Sequence, residues 1–404
     1  KYRKISLRSE INIMASKYEN NSAIKNFRDY LKIPSVQPNI NYDECVTFLK
    51  NQATSLGLPV KLYEIVPKKP IVILTWVGTD PSKPAILLNS HMDVVPVFEK
   101  SWTHPPFSAH IDKDGNIFAR GSQDMKCVGI QYLEAIRNLK AAGIKLKRTL
   151  HISFVPDEEI GGHDGMAKFV HTEEFKALNV GFALDEGIAS PNDEFLVYSG
   201  ERSIWRKYKI HVHCTGQPGH GSLLMNNTAA EKFRYVVNKF LTFREEEKRV
   251  LESNPELTIG DVTTLISSLH VNLTHFIHLL AVTVDFDKFE QMFQKWFKEA
   301  GEGVTYEFEQ KNPKVECTKT DNSNPYWVAF KNTIDSLNLK IKSCIFPGAT
   351  DSRYIRRVGI PAIGFSPINN TPVLLHDHNE FLNAEVFLKG IAIYEKMISS
   401  IANI

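Results

Sequence analysis

Ala85-Ile86-Leu87-Leu88-Asn89-Ser90-His91-Met92-Asp93 is the stretch that decides the fold class. Four apolar residues in a row, without polar alternation, suit a strand buried on both faces, and the run ends abruptly in an imidazole and a carboxylate. The same grammar returns three times. Leu150 to Val155 leads into Pro156-Asp157-Glu158-Glu159, Val180 to Leu184 leads into Asp185-Glu186, and Pro372-Val373-Leu374-Leu375 leads into His376-Asp377-His378. Between these runs lie helical patterns; Met125, Val128, Tyr132, Ile136 and Leu139 are spaced by threes and fours and make one apolar stripe. Strands alternating with helices imply an α/β sheet. Ligands of open α/β sheets bind beyond the carboxyl ends of the strands, so the four polar clusters are expected along one rim.

The middle of the chain follows another pattern. A strand-like Tyr208 to Val212, a long charged helix from Ala229 to about Val250, a helix near Phe289 to Ala300 and an alternating strand from Val304 to Phe308 make their own α+β set. The expected organisation is therefore one α/β domain over residues 14–202 and 322–404, interrupted by an inserted α+β domain over 203–321. Lys1 to Ile13 reads as an extension ahead of Met14, non-native or disordered.

Composition narrows the function. Of 404 residues, 43% are hydrophobic and 23% charged, ordinary globular values, and Lys+Arg 48 against Asp+Glu 46 leaves +2. No field of one sign argues for nucleic acid or an anionic membrane, so a small molecule is the expected partner. The five cysteines never form a Cys-x-x-Cys pair, which fits free thiols in a reducing compartment. No signal-peptide core and no apolar run of roughly 18 residues is present, and the cytoplasm is the expected address.

The clusters gain meaning together. Alone, His91-x-Asp93 is more often a structural pair than a metal site; as a ligand, His91 would bind through one nitrogen while Asp93 takes the proton on the other. Asp124, at the mouth of a helix, reads by itself as an N-cap, yet a carboxylate can bridge two cations. Adjacent carboxylates in Asp157-Glu158-Glu159 cannot all point one way, so one can ligate while its neighbour handles protons. With Asp185-Glu186 and His376-Asp377-His378, two imidazoles and three carboxylates suffice for a pair of divalent ions. His and carboxylate donors without cysteine suit zinc in an open, catalytic site.

The runs Ser90-His91-Met92-Asp93-Val94-Val95-Pro96, Gly121 to Cys127, Asp157 to Gly162 and Leu375-His376-Asp377-His378 resemble the two-zinc aminoacylase/carboxypeptidase G metallopeptidase family. The resemblance runs from about Ile24 onward. It implies a zinc-peptidase-like catalytic domain, a mixed sheet flanked by helices, with the insert as a lid and dimerisation domain. It also implies two Zn2+ per chain, with His91, Asp124 and Glu186 on one ion and Asp124, Glu159 and His376 on the other. Asp93 would orient His91, and Glu158 would be the general base that activates the metal-bridging water and passes the proton to the leaving amine. Gly216 to Ser222 resembles the family's lid motif, in which His220 would polarise the scissile carbonyl in a partner copy's site. Gly348-Ala349-Thr350-Asp351-Ser352-Arg353 matches a stretch whose Arg353 would bind the substrate's α-carboxylate, a task a guanidinium performs bidentately. The implied reaction is hydrolysis of an N-acyl-L-amino acid to a carboxylate and a free amino acid by a homodimer.

One stretch departs from the family. Between Val262 and Asp287 the family's Gly-Gly, Asn-x-Ile-Pro and Asp-x-Arg elements are missing, so a central lid hairpin is expected to be replaced or deleted. Two other readings follow: a related metallodipeptidase or deconjugase with the same ions and base, and a zinc-binding variant whose catalysis is impaired by an incomplete lid.

Overall fold

A computed structural model describes Tyr18 and residues 20–404 apart from 206–209, 221–223, 271–272 and 309–311. The extension expected over residues 1–13 lies outside the described residues. The chain divides into two compact units: one of residues up to Ser199 with Thr318–Ser343 and Thr350–Ile404, the other of Gly200–Cys317 with Cys344–Ala349.

The first unit is built on a mixed sheet. In chain order its strands are β1 (Val60–Val66), β2 (Lys69–Trp76), β3 (Ala85–His91), β4 (Leu150–Val155), β5 (Val180–Asp185), β6 (Glu194–Glu201), β7 (Lys340–Phe346) and β8 (Ala362–Phe365), the last residues of β6 and β7, Gly200–Glu201 and Cys344–Phe346, being counted in the second unit. Across the sheet they run β1-β2-β4-β3-β5-β8-β6-β7. The centre, β4-β3-β5-β8, is parallel, while β1, β2 and β6 join antiparallel. Successive side chains of a strand point to opposite faces, and both faces here are covered. Val72, Leu74, Ile86 and Leu88 enter one core beneath the helices α1 (Ser22–Leu31), α2 (Asp43–Leu56), α3 (Lys126–Ala141), α4 (Pro325–Ser336) and α6 (Ala384–Ile401). Ile71, Ile73 and Leu87 enter a second core with Met166, Phe169 and the helix α5 (Ser352–Arg357). That arrangement is why β3 and β4 are buried at every residue and read as unbroken apolar runs.

Register aligns the strand ends. His91 on β3 stands opposite Val155 on β4, and Leu88 stands opposite Leu184 on β5. His91, the Asp157-Glu158-Glu159 turn and Glu186 therefore leave the sheet at one edge. The fourth run does not behave this way. Pro372 to Leu375 is irregular rather than a strand, with Val373 48% exposed. Pro372 has no N–H to give a ladder, and its carbonyl and the Leu374 N–H bond instead to the side chain of Gln123. His376 thus arrives on a loop.

In the second unit Ile210–Cys214 pairs antiparallel with Val304–Phe308. The helices Ala229–Ser253 and Phe286–Ala300 pack through Val236, Phe240, Phe289, Phe293 and Phe297. Thr228 and Glu231 form a reciprocal capping box that starts the first of them. In the 262–287 stretch, where a departure from the family is expected, Thr264–His270 pairs antiparallel with Leu273–Leu280, which pairs in turn with Ser203–Trp205. Cys344–Ala349 belongs to this unit because Arg202 donates to the Pro347 carbonyl and Gly260 packs directly on Ile345. Among the described residues no helix is long and apolar enough to cross a membrane.

Candidate metal centre

His91 closes β3 and is 1% exposed. Its Nδ1 lies 2.9 Å from the backbone carbonyl oxygen of Asp93 and 3.6 Å from that residue's carboxylate. A carbonyl only accepts, so Nδ1 carries the hydrogen and Nε2 faces the site. The backbone of Asp93, more than its side chain, fixes the ring. The Asp93 carboxylate, wholly buried, instead accepts from the backbone N–H groups of Glu158 (3.2 Å) and Glu159 (3.1 Å) and from Gln37 Nε2 (2.8 Å).

Asp124 is shared. Its Oδ1 is 3.0 Å from His91 Nε2 and its Oδ2 is 3.0 Å from His376 Nε2. Burial opposes its ionisation, but hydrogen bonds from His376 and His91 outweigh that and hold the carboxyl well below its ordinary range. Glu186, following β5, places Oε2 3.7 Å from His91 Nε2, and Glu159 Oε2 is 3.1 Å from His376 Nε2. His376 sits at positive φ (62°) with its side chain 48% exposed, the most accessible member of the cluster.

The turn after β4 separates its three carboxylates. Asp157, at φ 64°, points away from the cluster's histidines: it accepts from Tyr42 (2.7 Å) and Gln37 (3.1 Å) and pairs with Lys69 (2.6 Å). Glu158 and Glu159 turn inward. Burial, reinforced by neighbouring carboxylates, raises Glu158 and Glu186 well above the ordinary carboxylate range and pushes Glu159 up to about 7. For His91 and His376 burial acts downward, but the surrounding carboxylates dominate, carrying His91 well up and His376 to about 11.

Four carboxylates, those of Asp124, Glu158, Glu159 and Glu186, share this pocket with two imidazoles, and burial is the main reason that three of them are raised. Glu159 Oε1 is buried with no donor, and donor atoms of His91, Asp124 and Glu159, and of His91, Glu158 and Glu186, gather within 4.8 Å of one another. Divalent cations would satisfy both features, and the donor set of imidazole and carboxylate fits zinc. Among the residues named from sequence, the structure brings together His91, Asp93, Asp124, Glu158, Glu159, Glu186 and His376.

Arg353 is near but occupied. At the start of α5 and 4% exposed, it donates from Nη1 to Thr350 O (2.9 Å) and from Nη2 to Gly161 O (2.8 Å), beside the turn that carries Glu158. His220 is an exposed residue of the second unit, in the irregular segment 215–220. Three buried carboxylates were given no role of their own by the sequence. Asp185 accepts from Asn89 (3.1 Å) and Ser352 (2.9 Å), locking the end of β5. Asp351 is buried, neither of its oxygens has a hydrogen-bond partner, and burial together with Asp185 raises it to about 8. Glu380 binds the loop in front of Asp124. Only its position four residues beyond His376 could have flagged it.

Comparison with known proteins gives a consistent result. The family model "Peptidase family M20/M25/M40" matches residues 87–400. Aminoacylase-1 of Mus musculus is 51% identical over 389 residues, covering 94% of this chain and 95% of that protein. Aminoacylase-1 of Homo sapiens is 49% identical over 397 residues, 96% and 97% of the two chains. Among solved structures, human carnosine dipeptidase 1 superposes with a TM-score of 0.66 at 14% identity, covering 98% of this chain and 99% of that one. A dinuclear metal-binding peptidase of Bacillus subtilis, YxeP, gives 0.62 at 16% identity over 94% and 97%. Those two likenesses concern the fold.

Proposed function

The chain belongs to peptidase family M20/M25/M40 and is an amidohydrolase, and from that premise we propose that it hydrolyses N-acyl-L-amino acids to a carboxylate and a free L-amino acid at a two-zinc centre. The observation that carries this reading is the Asp124 carboxylate, held between two imidazoles by one oxygen each with Glu158 and Glu159 beside it.

His91, Asp124 and Glu186 would hold one ion, and Asp124, Glu159 and His376 the other. Bound there, the ions would supply Lewis-acid polarisation of the scissile carbonyl and would acidify the attacking water. The chain's own work is proton handling and orientation. Glu158, raised by burial, is suited to take the water's proton at its carboxylate and hand it to the leaving nitrogen. The Asp93 carboxylate fixes the backbone on both sides of Glu158, so the base returns to one position in each cycle.

Arg353 is the cation we assign to the substrate's α-carboxylate. Its Nη1 is bound to Thr350 O and its Nη2 to Gly161 O and Tyr354 Oη, so recognition of that group would require the guanidinium to exchange one or more of these partners. His220 is assigned to the scissile carbonyl in a partner copy's site, which makes the active species a homodimer with the second unit as its lid. Turnover of N-acetyl-L-methionine, N-acetyl-D-methionine and L-alanyl-L-methionine by the zinc-loaded chain tests the reading. Methionine release from the N-acetyl-L substrate well ahead of the other two is expected; preference for the dipeptide would replace it with a dipeptidase.

A further inference from the structure

Glu380 is wholly buried, yet its carboxylate serves none of the cluster's imidazoles. Oε1 accepts from the backbone N–H groups of Gln123 (2.6 Å) and Asp124 (3.3 Å); Oε2 accepts from Gly121 N (3.1 Å) and Arg120 Nη1 (2.7 Å). A buried carboxylate that collects N–H groups of one loop fixes that loop, because each broken bond would strand a charge. Here the last N–H collected belongs to Asp124 itself.

The loop answers in kind. Gln123 donates from Nε2 to Pro372 O (3.0 Å) and Phe381 O (2.8 Å), and its Oε1 accepts from Leu374 N (3.1 Å). Arg120 Nη1 reaches Asp377 O at 3.1 Å, and Ala119 N donates to Glu380 O at 3.1 Å. Two irregular segments, one bearing Asp124 and the other bearing His376, are therefore stitched to each other on both sides of their functional residues. The rest of the cluster is placed differently. His91 ends the buried strand β3 and Glu186 follows β5, so the sheet places them. Asp124 and His376 have no strand beneath them, and His376 is half-exposed.

We propose that Glu380 is a positioning residue which, with Gln123, sets Asp124 against His376 and thereby determines the affinity of the ion those two share with Glu159. This rests on the two-ion reading above. Outer groups that orient metal ligands contribute about 10–100-fold to affinity.

The test is a zinc titration of the metal-stripped, full-length chain against a chromophoric chelator, for wild type, His376→Ala, Glu380→Gln and Gln123→Ala. Glu380→Gln must turn an NH2 toward a ring of donors. It is expected to weaken the zinc step that belongs to the Asp124–Glu159–His376 ion, identified as the step lost in His376→Ala, by about 10-fold or more, and to move the other step, which shares Asp124 but rests on the sheet-held His91 and Glu186, by less. Gln123→Ala, which strands no charge, is expected to weaken the same step and decides the matter if Glu380→Gln fails to fold. Both steps unchanged within about twofold would overturn the proposal, as would an equal loss at both steps accompanied by a lower melting temperature, since that is plain scaffolding. Wild type that takes up fewer than two zinc ions removes the two-ion reading and the proposal with it. The wild-type trace alone judges the reading, and the variant-to-wild-type ratio judges the role of Glu380.

Discussion

Replacing Asp93 by asparagine should loosen the turn that carries Glu158 and Glu159 while leaving the His91 ring in place. The carboxylate is fully buried and serves three donors: Glu158 N at Oδ1, and Glu159 N and Gln37 Nε2 at Oδ2. Asparagine has the same shape, but one of its two positions becomes an NH2 that cannot accept. In either rotamer one of the turn's two N–H groups loses its acceptor. Gln37 can flip to meet the new donor, since its own Oε1 has no partner, but doing so gives up its bond to Asp157. Losing one hydrogen bond to a charged acceptor costs about 2 kcal/mol, and converting the others to neutral bonds costs roughly 1 kcal/mol each. Relief of a buried charge offsets up to about half of this on the same scale, leaving a net loss of about 2–4 kcal/mol. His91 keeps the Asp93 carbonyl at Nδ1 throughout. Urea unfolding followed by tryptophan fluorescence measures the loss. A variant within about 0.5 kcal/mol of wild type would refute the claim that Asp93 holds the turn, because substitutions away from such networks fall in that range.

Two further outcomes concern the scaffold. Gly129, in α3, leaves a Cβ only 2.8 Å from Phe154 Cε1 and 2.8 Å from Ser90 Oγ, both on buried residues of the sheet. Gly129→Ala gains about 1 kcal/mol of helix propensity but incurs about 1–3 kcal/mol of overpacking, so the melting temperature should fall, whereas an exposed helical glycine would give a rise. His151 is buried with Nδ1 2.9 Å from Thr75 Oγ1, and burial, only partly opposed by its bond to the Leu178 backbone, holds it down from 6.5 to about 4. Between those values the unfolded chain binds more protons than the folded one. Stability from the neutral ring is thus complete above pH 6.5 and lost as pH falls toward 4, by about 3 kcal/mol in all. Urea midpoints for wild type and His151→Gln between about pH 7.5 and about pH 5 should show a shallower pH slope in the variant, and equal slopes would contradict the assignment.

The sheet was legible in the sequence because its central strands are buried on both faces, and Ile86-Leu87-Leu88 can be nothing but apolar there. The polar tips of β3, β4 and β5 were legible for the same reason: a charge beside such a run must be at its end. Pro372-Val373-Leu374-Leu375 carries the same apolar signature without forming a strand, since apolarity does not reveal that Val373 is exposed or that Gln123 takes the segment's backbone groups. Partner choice was harder still. His91-x-Asp93 suggested a side-chain pair, whereas the nearer acceptor is the Asp93 carbonyl, a group that every residue possesses. Glu380 carries no local sign of burial and becomes meaningful only when the chain brings it back, more than 250 residues later, to the loop before Asp124.

The most direct test of the central claim compares zinc-loaded wild type with Glu158→Gln on N-acetyl-L-methionine, with bound zinc measured on the same samples. Glutamine keeps the size of the side chain but cannot take a proton. Methionine release by wild type, a fall of about 10²–10⁴-fold in the variant, and unchanged zinc content are expected if Glu158 is the base. Turnover by Glu158→Gln at the wild-type rate, or none from wild type carrying both ions, would contradict that claim.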